Sequence, residues 1–83
     1  MELLKPDVIH VLREFILKDV LGRSIELTDE TPLIEEGHLT SLQTVELVVF
    51  IAERFGVEIE PEEIDETRFR SLDTIATLVM SKK

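Results

Sequence analysis

The chain has 83 residues, enough for one small domain whose fold buries only about 60% of the surface that the unfolded form exposes. Hydrophobic residues make up 43% of it, with three glycines and three prolines, a composition that suits a compact globule rather than a disordered chain. Eighteen acidic against nine basic residues give a net charge of −9, which argues against nucleic acid as a partner, and the lack of cysteine excludes disulfides, thiolate metal sites and a thiol nucleophile.

The amino-terminal MELLKPDV has no basic region ahead of a hydrophobic stretch, and no apolar run approaches the roughly 20 residues needed to cross a bilayer. These features predict a cytoplasmic protein with no membrane partner. A first helix is predicted from Pro6 to about residue 21. Pro6 suits the first turn, Asp7 favours the positive end of the helix dipole, and Val8, Leu12, Phe15 and Ile16 recur along one face. Gly22 then ends the helix.

The next 18 residues, RSIELTDETPLIEEGHLT, include Pro32 and Gly37 and show little periodicity, which predicts a long loop. Loops of that length in small domains tend to be functional. Ile25, Leu27, Leu33, Ile34 and Leu39 are expected to pin it over the core.

TSLQ opens a second helix in the pattern of a capping box. Thr40 is the N-cap, Ser41 the first helical residue, and Gln43 the third, which reaches back to the cap. The helix is predicted to run to Phe55, with Gly56 as its left-handed stop. On a wheel at about 100° per residue, Leu47, Val48, Ile51 and Phe55 form one apolar arc. Leu42, Val45 and Val49 form another, beside Glu46 and Glu53. Periodicity favours placing this second group in the core as well, since a middle helix can be covered on most sides; the other reading is a docking surface of mixed apolar and acidic character. Phe50 falls on neither arc.

Pro61 is expected to begin a brief third helix through Ile64, and Ser71 to cap a last helix carrying Leu72, Ile75, Ala76 and Val79 on one side. From Glu46 to Glu66 there are eight carboxylates and one base, Arg54, a local charge of −7. Such a field speeds encounter with a basic protein surface, although it also serves solubility. No repeat or second domain is evident, so residues 1–83 read as one domain.

Ser41 is the residue whose chemistry needs explaining. A hydrolase would require a base and a residue to orient that base. His38 is the one candidate nearby, while His10 reads as a partly exposed helical residue. No G-x-S-x-G elbow is present and the chain is too short for a substrate pocket, so an enzyme is not expected. The acidic EPEEIDE lacks the ligand alternation and glycine of a calcium loop, and no metal-ligand spacing is seen. A hydroxyl on which another enzyme acts fits better, because a helix start favours an attached phosphodiester.

The run LTSLQTVELVVFIAERFGVEI resembles the segment of acyl carrier and peptidyl carrier proteins built around Asp-Ser-Leu, and the similarity extends to TPLIEEG and FRSLDTIATLV. The resemblance implies an all-α fold: a four-helix bundle with a long loop between helices 1 and 2 and a short third helix. It further implies that Ser41 carries 4′-phosphopantetheine derived from coenzyme A, attached by a phosphopantetheinyl transferase, and that the arm holds an acyl or aminoacyl thioester. Thr40, Leu42, Val45, Glu46, Val49 and Glu53 would then face the loading and downstream enzymes through their basic patches. Two departures stand out. Thr40 replaces the usual aspartate, which keeps the cap but removes a charge, and Gln43, Ala52 and Arg54 replace residues often acidic in fatty-acid carriers. They suggest a stand-alone carrier in a specialised, secondary-metabolite type pathway, and a monomer is the expectation for a highly charged domain. An unmodified acidic docking subunit is the alternative.

Overall fold

Pro6 lies in the first turn of α1 (Lys5–Phe15), where its missing N–H costs nothing, and Asp7 follows in the same turn. The computed structural model describes residues 4–22 and 25–83; residues 1–3 of the amino-terminal segment and Arg23 and Ser24 at the start of the predicted loop lie outside it. Val8, Leu12 and Ile16 are fully buried, as their spacing predicts.

The first helix does not continue as a regular α-helix to residue 21. A π turn spans Ile16–Val20, closed by the Leu21 N–H donating to the Ile16 carbonyl at 2.8 Å. Each four-residue step in an α-helix advances the apolar position by about 40°. Val8, Leu12 and Ile16 therefore drift around α1, and the wider turn brings Val20 and Leu21 back against the core. Gly22 follows with φ +65°, as expected of a helix stop.

The loop is stitched down on both sides. Leu27, Leu33 and Leu39 are buried, and Ile25 and Ile34 pack partly buried against the core, so the five predicted anchors all serve as such. Toward α1, the Arg13 Nε donates to the Leu27 carbonyl at 2.9 Å and its guanidinium pairs with Asp29. At the other side, the Leu33 N–H donates to the Arg70 carbonyl at 2.7 Å and the Asp73 N–H to the Asp29 carbonyl at 2.9 Å. Arg70 also pairs with Glu35 at 3.0 Å.

α2 (Ser41–Phe55) and α3 (Leu72–Ser81) start where their caps predict, after Thr40 and Ser71. Ser71 and Thr74 form a reciprocal box of the same kind as Thr40 and Gln43. Leu72, Ile75, Ala76 and Val79 are fully buried, and α3 packs chiefly on α1. Lys5 and Asp73 join the first turns of these two helices at 2.8 Å.

The expected third helix is a single 3-10 turn, Pro61–Glu63. Its capping box closes on itself, with the Glu60 N–H donating to Glu63 Oε1 at 2.9 Å, and Ile64 leaves helical space at φ −88°, ψ 88°. Carboxylates at Glu63, Asp65 and Glu66 would oppose the negative end of any longer helix. The described residues thus form an all-α fold of three α-helices, without strands. None of these helices is long and apolar enough to cross a membrane.

Candidate functional site

The chain enters α2 through Thr40 in extended conformation, φ −87° and ψ 175°. The Gln43 N–H donates to Thr40 Oγ1 at 3.3 Å, and the Thr40 N–H donates to Gln43 Oε1 at 3.0 Å. Thr44 reinforces the turn, with both its N–H and its hydroxyl donating to the Thr40 carbonyl at 2.9 Å. Burial of Leu39 before the cap and of Thr44 and Leu47 after it fixes the backbone on both sides. Ser41, between them, is exposed, and its hydroxyl makes no hydrogen bond among the described residues.

The second arc of α2 faces outward. Leu42, Val45 and Val49 are 70%, 53% and 52% exposed, with Glu46 and Glu53 exposed among them. This overturns the periodicity argument for placing them in the core, because only the other side of the helix joins the core cluster shared with α1, α3 and the loop. Leu47, Ile51 and Phe55 are buried there and Val48 partly so. Phe50, which the wheel leaves unassigned, lies on the flank. It stacks on Phe15 with ring centroids 4.0 Å apart and meets Phe55 edge-on at 6.5 Å. Such pairs contribute about 0.5–1.5 kcal/mol beyond the area they bury.

A groove of about 380 Å³ opens beside Ser41. Ile34 and Leu39 of the loop, Thr44 and Val45 of α2, and Ile64 and Phe69 from the segment before α3 supply most of its wall. Asp65 and Glu66 also line it, and no basic residue does. Asp65 accepts from the Arg68 N–H at 2.7 Å, which holds its carboxyl below the ordinary carboxylate range, and it also pairs with the Arg68 guanidinium. Glu66 is exposed and forms no ion pair among the described residues. Of the groove residues, Ile34 and Leu39 are visible in the sequence as anchors. Thr44, Ile64, Asp65, Glu66 and Phe69 carry no signal of their own, since only the tertiary fold brings residues 64–69 to the start of α2.

The acidic stretch divides into two parts. Glu63 pairs with Lys82 at 2.8 Å, and this contact lowers its pKa. Glu46, Glu53, Glu58, Glu60 and Glu62 are exposed and make no ion pair among the described residues. His38 does not approach Ser41 as a base. Its Nε2 lies 3.5 Å from Glu36, and it does not line the groove. His10 is exposed on α1. Among the described residues, no three of the His, Asp and Glu side chains are grouped so as to hold a metal ion.

These residues suit a phosphodiester tether. The hydroxyl is open to solvent at a helix start, a place where backbone N–H groups favour an anion, although Thr40 already engages those of Gln43 and Thr44. Nothing in the first turn of α2 carries a negative side chain that would repel the phosphate.

The phosphopantetheine attachment site family matches residues 12–79. A chain in a crystal structure described as that of an FAD-dependent dehydrogenase is similar, at 36% identity and a TM-score of 0.77, over 82% of this chain and 97% of that one. No curated protein matches. The family match along most of the sequence, together with the helical fold on which that match lies, shows that the chain belongs to the phosphopantetheine attachment family, whose domains are non-catalytic carriers.

Proposed function

We propose that Ser41 is the attachment point of 4′-phosphopantetheine and that the chain carries an acyl or aminoacyl intermediate as a thioester on that arm. The observation that carries this reading is the exposed, unbonded Ser41 hydroxyl held at the first position of a firmly capped helix. In the modification step, Ser41 Oγ attacks the pyrophosphate of coenzyme A. A P–O bond forms, the bond to the adenosine-side phosphate breaks, 3′,5′-adenosine bisphosphate leaves with the electron pair, and the hydroxyl proton passes to a base of the transferase. When bound, the arm supplies the thiol that the cysteine-free chain lacks.

The chain's own residues then position and present. Thr40 and Gln43 hold the backbone at Ser41, and Leu42, Val45, Glu46, Val49 and Glu53 form the docking face for a transferase and for loading and downstream enzymes with basic patches. Thr40 belongs to that contact through its place beside the modified residue. The 3-10 turn at Pro61–Glu63 stands as the short third member of a four-helix bundle, and residues 1–83 form a single, monomeric and cytoplasmic domain. Thr40, Gln43, Ala52 and Arg54 point to a specialised biosynthetic pathway rather than fatty-acid synthesis.

One partner class has specific support. The similar solved chain is carrier-sized, since 82% of 83 residues spans 97% of it, and it comes from a structure described as an FAD-dependent dehydrogenase. A flavin dehydrogenase acting on the tethered cargo is therefore our candidate downstream enzyme.

Intact-mass measurement after incubation with coenzyme A and a broad-specificity transferase tests the assignment. One phosphopantetheine should be gained by the native chain and none by Ser41→Ala. No gain with several transferases would leave the unmodified docking subunit, the reading that Thr40 in place of aspartate keeps open.

A further inference from the structure

Thr44 is buried, only 6% exposed, and its hydroxyl donates to the Thr40 carbonyl at 2.9 Å, the same oxygen that accepts the Thr44 N–H at 2.9 Å. That carbonyl belongs to the peptide unit joining Thr40 to Ser41. With both of its lone pairs engaged, the plane from which the Ser41 side chain departs is fixed in tilt as well as in position. Helix stability does not call for the second bond: a threonine hydroxyl bonded back to the carbonyl four residues earlier slightly destabilises a helix. The corresponding place at the start of α3 holds Ile75, fully buried, whose N–H alone reaches the Ser71 carbonyl, at 3.0 Å. There the second donor is Thr74, a member of the capping box itself. In α2 the box member is Gln43, whose Oε1 accepts the Thr40 N–H, and the second donor is instead a hydroxyl withdrawn from water beside Ser41.

We infer that Thr44 is a positioning residue for phosphopantetheine transfer: its buried hydroxyl, acting through the Thr40 carbonyl, holds the peptide unit that aims Ser41 Oγ at the phosphorus. The inference rests on the carrier reading of Ser41. Displacement of 3′,5′-adenosine bisphosphate by that oxygen needs the reacting atoms about 3–3.5 Å apart and aligned. A peptide unit free to tilt spreads the positions that Oγ takes, so fewer encounters are productive. Thr44 lies buried and off the exposed arc of Leu42, Val45 and Val49, so loss of its hydroxyl slows transfer without weakening the docking of the transferase.

Two substitutions separate geometry from packing. Thr44→Val keeps nearly the same shape and removes the hydroxyl, whereas Thr44→Ser keeps the hydroxyl and removes the methyl. Transfer from coenzyme A by a broad-specificity transferase would be followed by intact mass under single-turnover conditions. At saturation Thr44→Val should react about fivefold more slowly, the factor that one ordinary hydrogen bond is worth, with the half-saturating transferase concentration unchanged. Its urea midpoint should equal or exceed the native one, because the Thr40 carbonyl keeps the Thr44 N–H and no polar group is left unpaired. Thr44→Ser should show the reverse, retaining most of the rate at a lower urea midpoint. The NMR order parameter of the Ser41 amide should fall in Thr44→Val and hold in Thr44→Ser. Native-rate transfer to Thr44→Val, a loss carried by the half-saturating concentration, or rates that track the urea midpoint across the two variants would overturn the inference alone. Failure of the native chain to gain mass would overturn the reading of Ser41 beneath it.

Discussion

The two faces of α2 are built from nearly the same residue types and have opposite fates. Leu47 and Ile51 are fully buried, whereas Leu42, Val45 and Val49 stand more than half exposed a third of a turn or more away. A chain with so small a core cannot cover both sides of its middle helix. The shared core decides which side is covered: Leu47 and Ile51 join the same buried cluster as residues of α1, α3 and the loop anchors. Exposed leucine and valine beside Glu46 and Glu53, at the helix that begins with Ser41, make a surface suited to transient contact rather than to folding.

The sharpest break in this comparison comes from truncating each side. Leu47→Ala should lower unfolding free energy by about 2–5 kcal/mol, and Leu42→Ala by less than about 0.5 kcal/mol, as read by urea denaturation. Similar losses at both positions would show that the outer arc is structural. Reversing the character of the outer arc should have a functional effect instead. Leu42→Glu should slow modification by a transferase about tenfold, equivalent to about 1.4 kcal/mol, with the urea midpoint almost unmoved.

Smaller effects belong to the ends of the helix. Thr40→Ala removes the acceptor for the Gln43 N–H and should cost about 1 kcal/mol, whereas Thr40→Asp should retain the cap. Gly56, at φ +69° with open space around its Cα, should lose about 1 kcal/mol on substitution by alanine, from backbone strain alone. The smallest effect is electrostatic. The folded-state pKa of Glu63 is lowered, first by its hydrogen bond to Lys82, so this contribution is present above the unfolded carboxylate pKa and is lost as pH falls through the lower folded value. Acid titration of thermal stability should therefore show a shallower loss below about pH 4.5 in Glu63→Gln than in the native chain. Both side chains are partly exposed, so the difference should be small.

What the sequence discloses and what it hides follow from distance along the chain. The box at Thr40–Gln43, the cap at Ser71 and the stop at Gly56 are local patterns, and each is legible because the groups involved lie within a few residues. The loop anchors are legible as isolated apolar residues in a polar stretch. By contrast, the stacking of Phe50 on Phe15 joins residues 35 positions apart, and the tie between Leu33 and Arg70 joins residues 37 apart, so no periodicity announces them. The same is true of the groove, whose floor comes from residues 64–69 as well as from α2. The outer arc is the instructive case. Its spacing is equally good for burial, and only the positions of α1, α3 and the loop show that it is bare. The resemblance to carrier proteins supplies that assignment earlier, from pattern rather than from packing.

The box around Ser41 has a mechanical consequence. It immobilises the peptide units on either side of the serine while leaving the Cα–Cβ–Oγ crank free to turn. Any load hung from that oxygen therefore swivels on a stationary hub, and its sweep is set by its own length rather than by fraying of the rod beneath it.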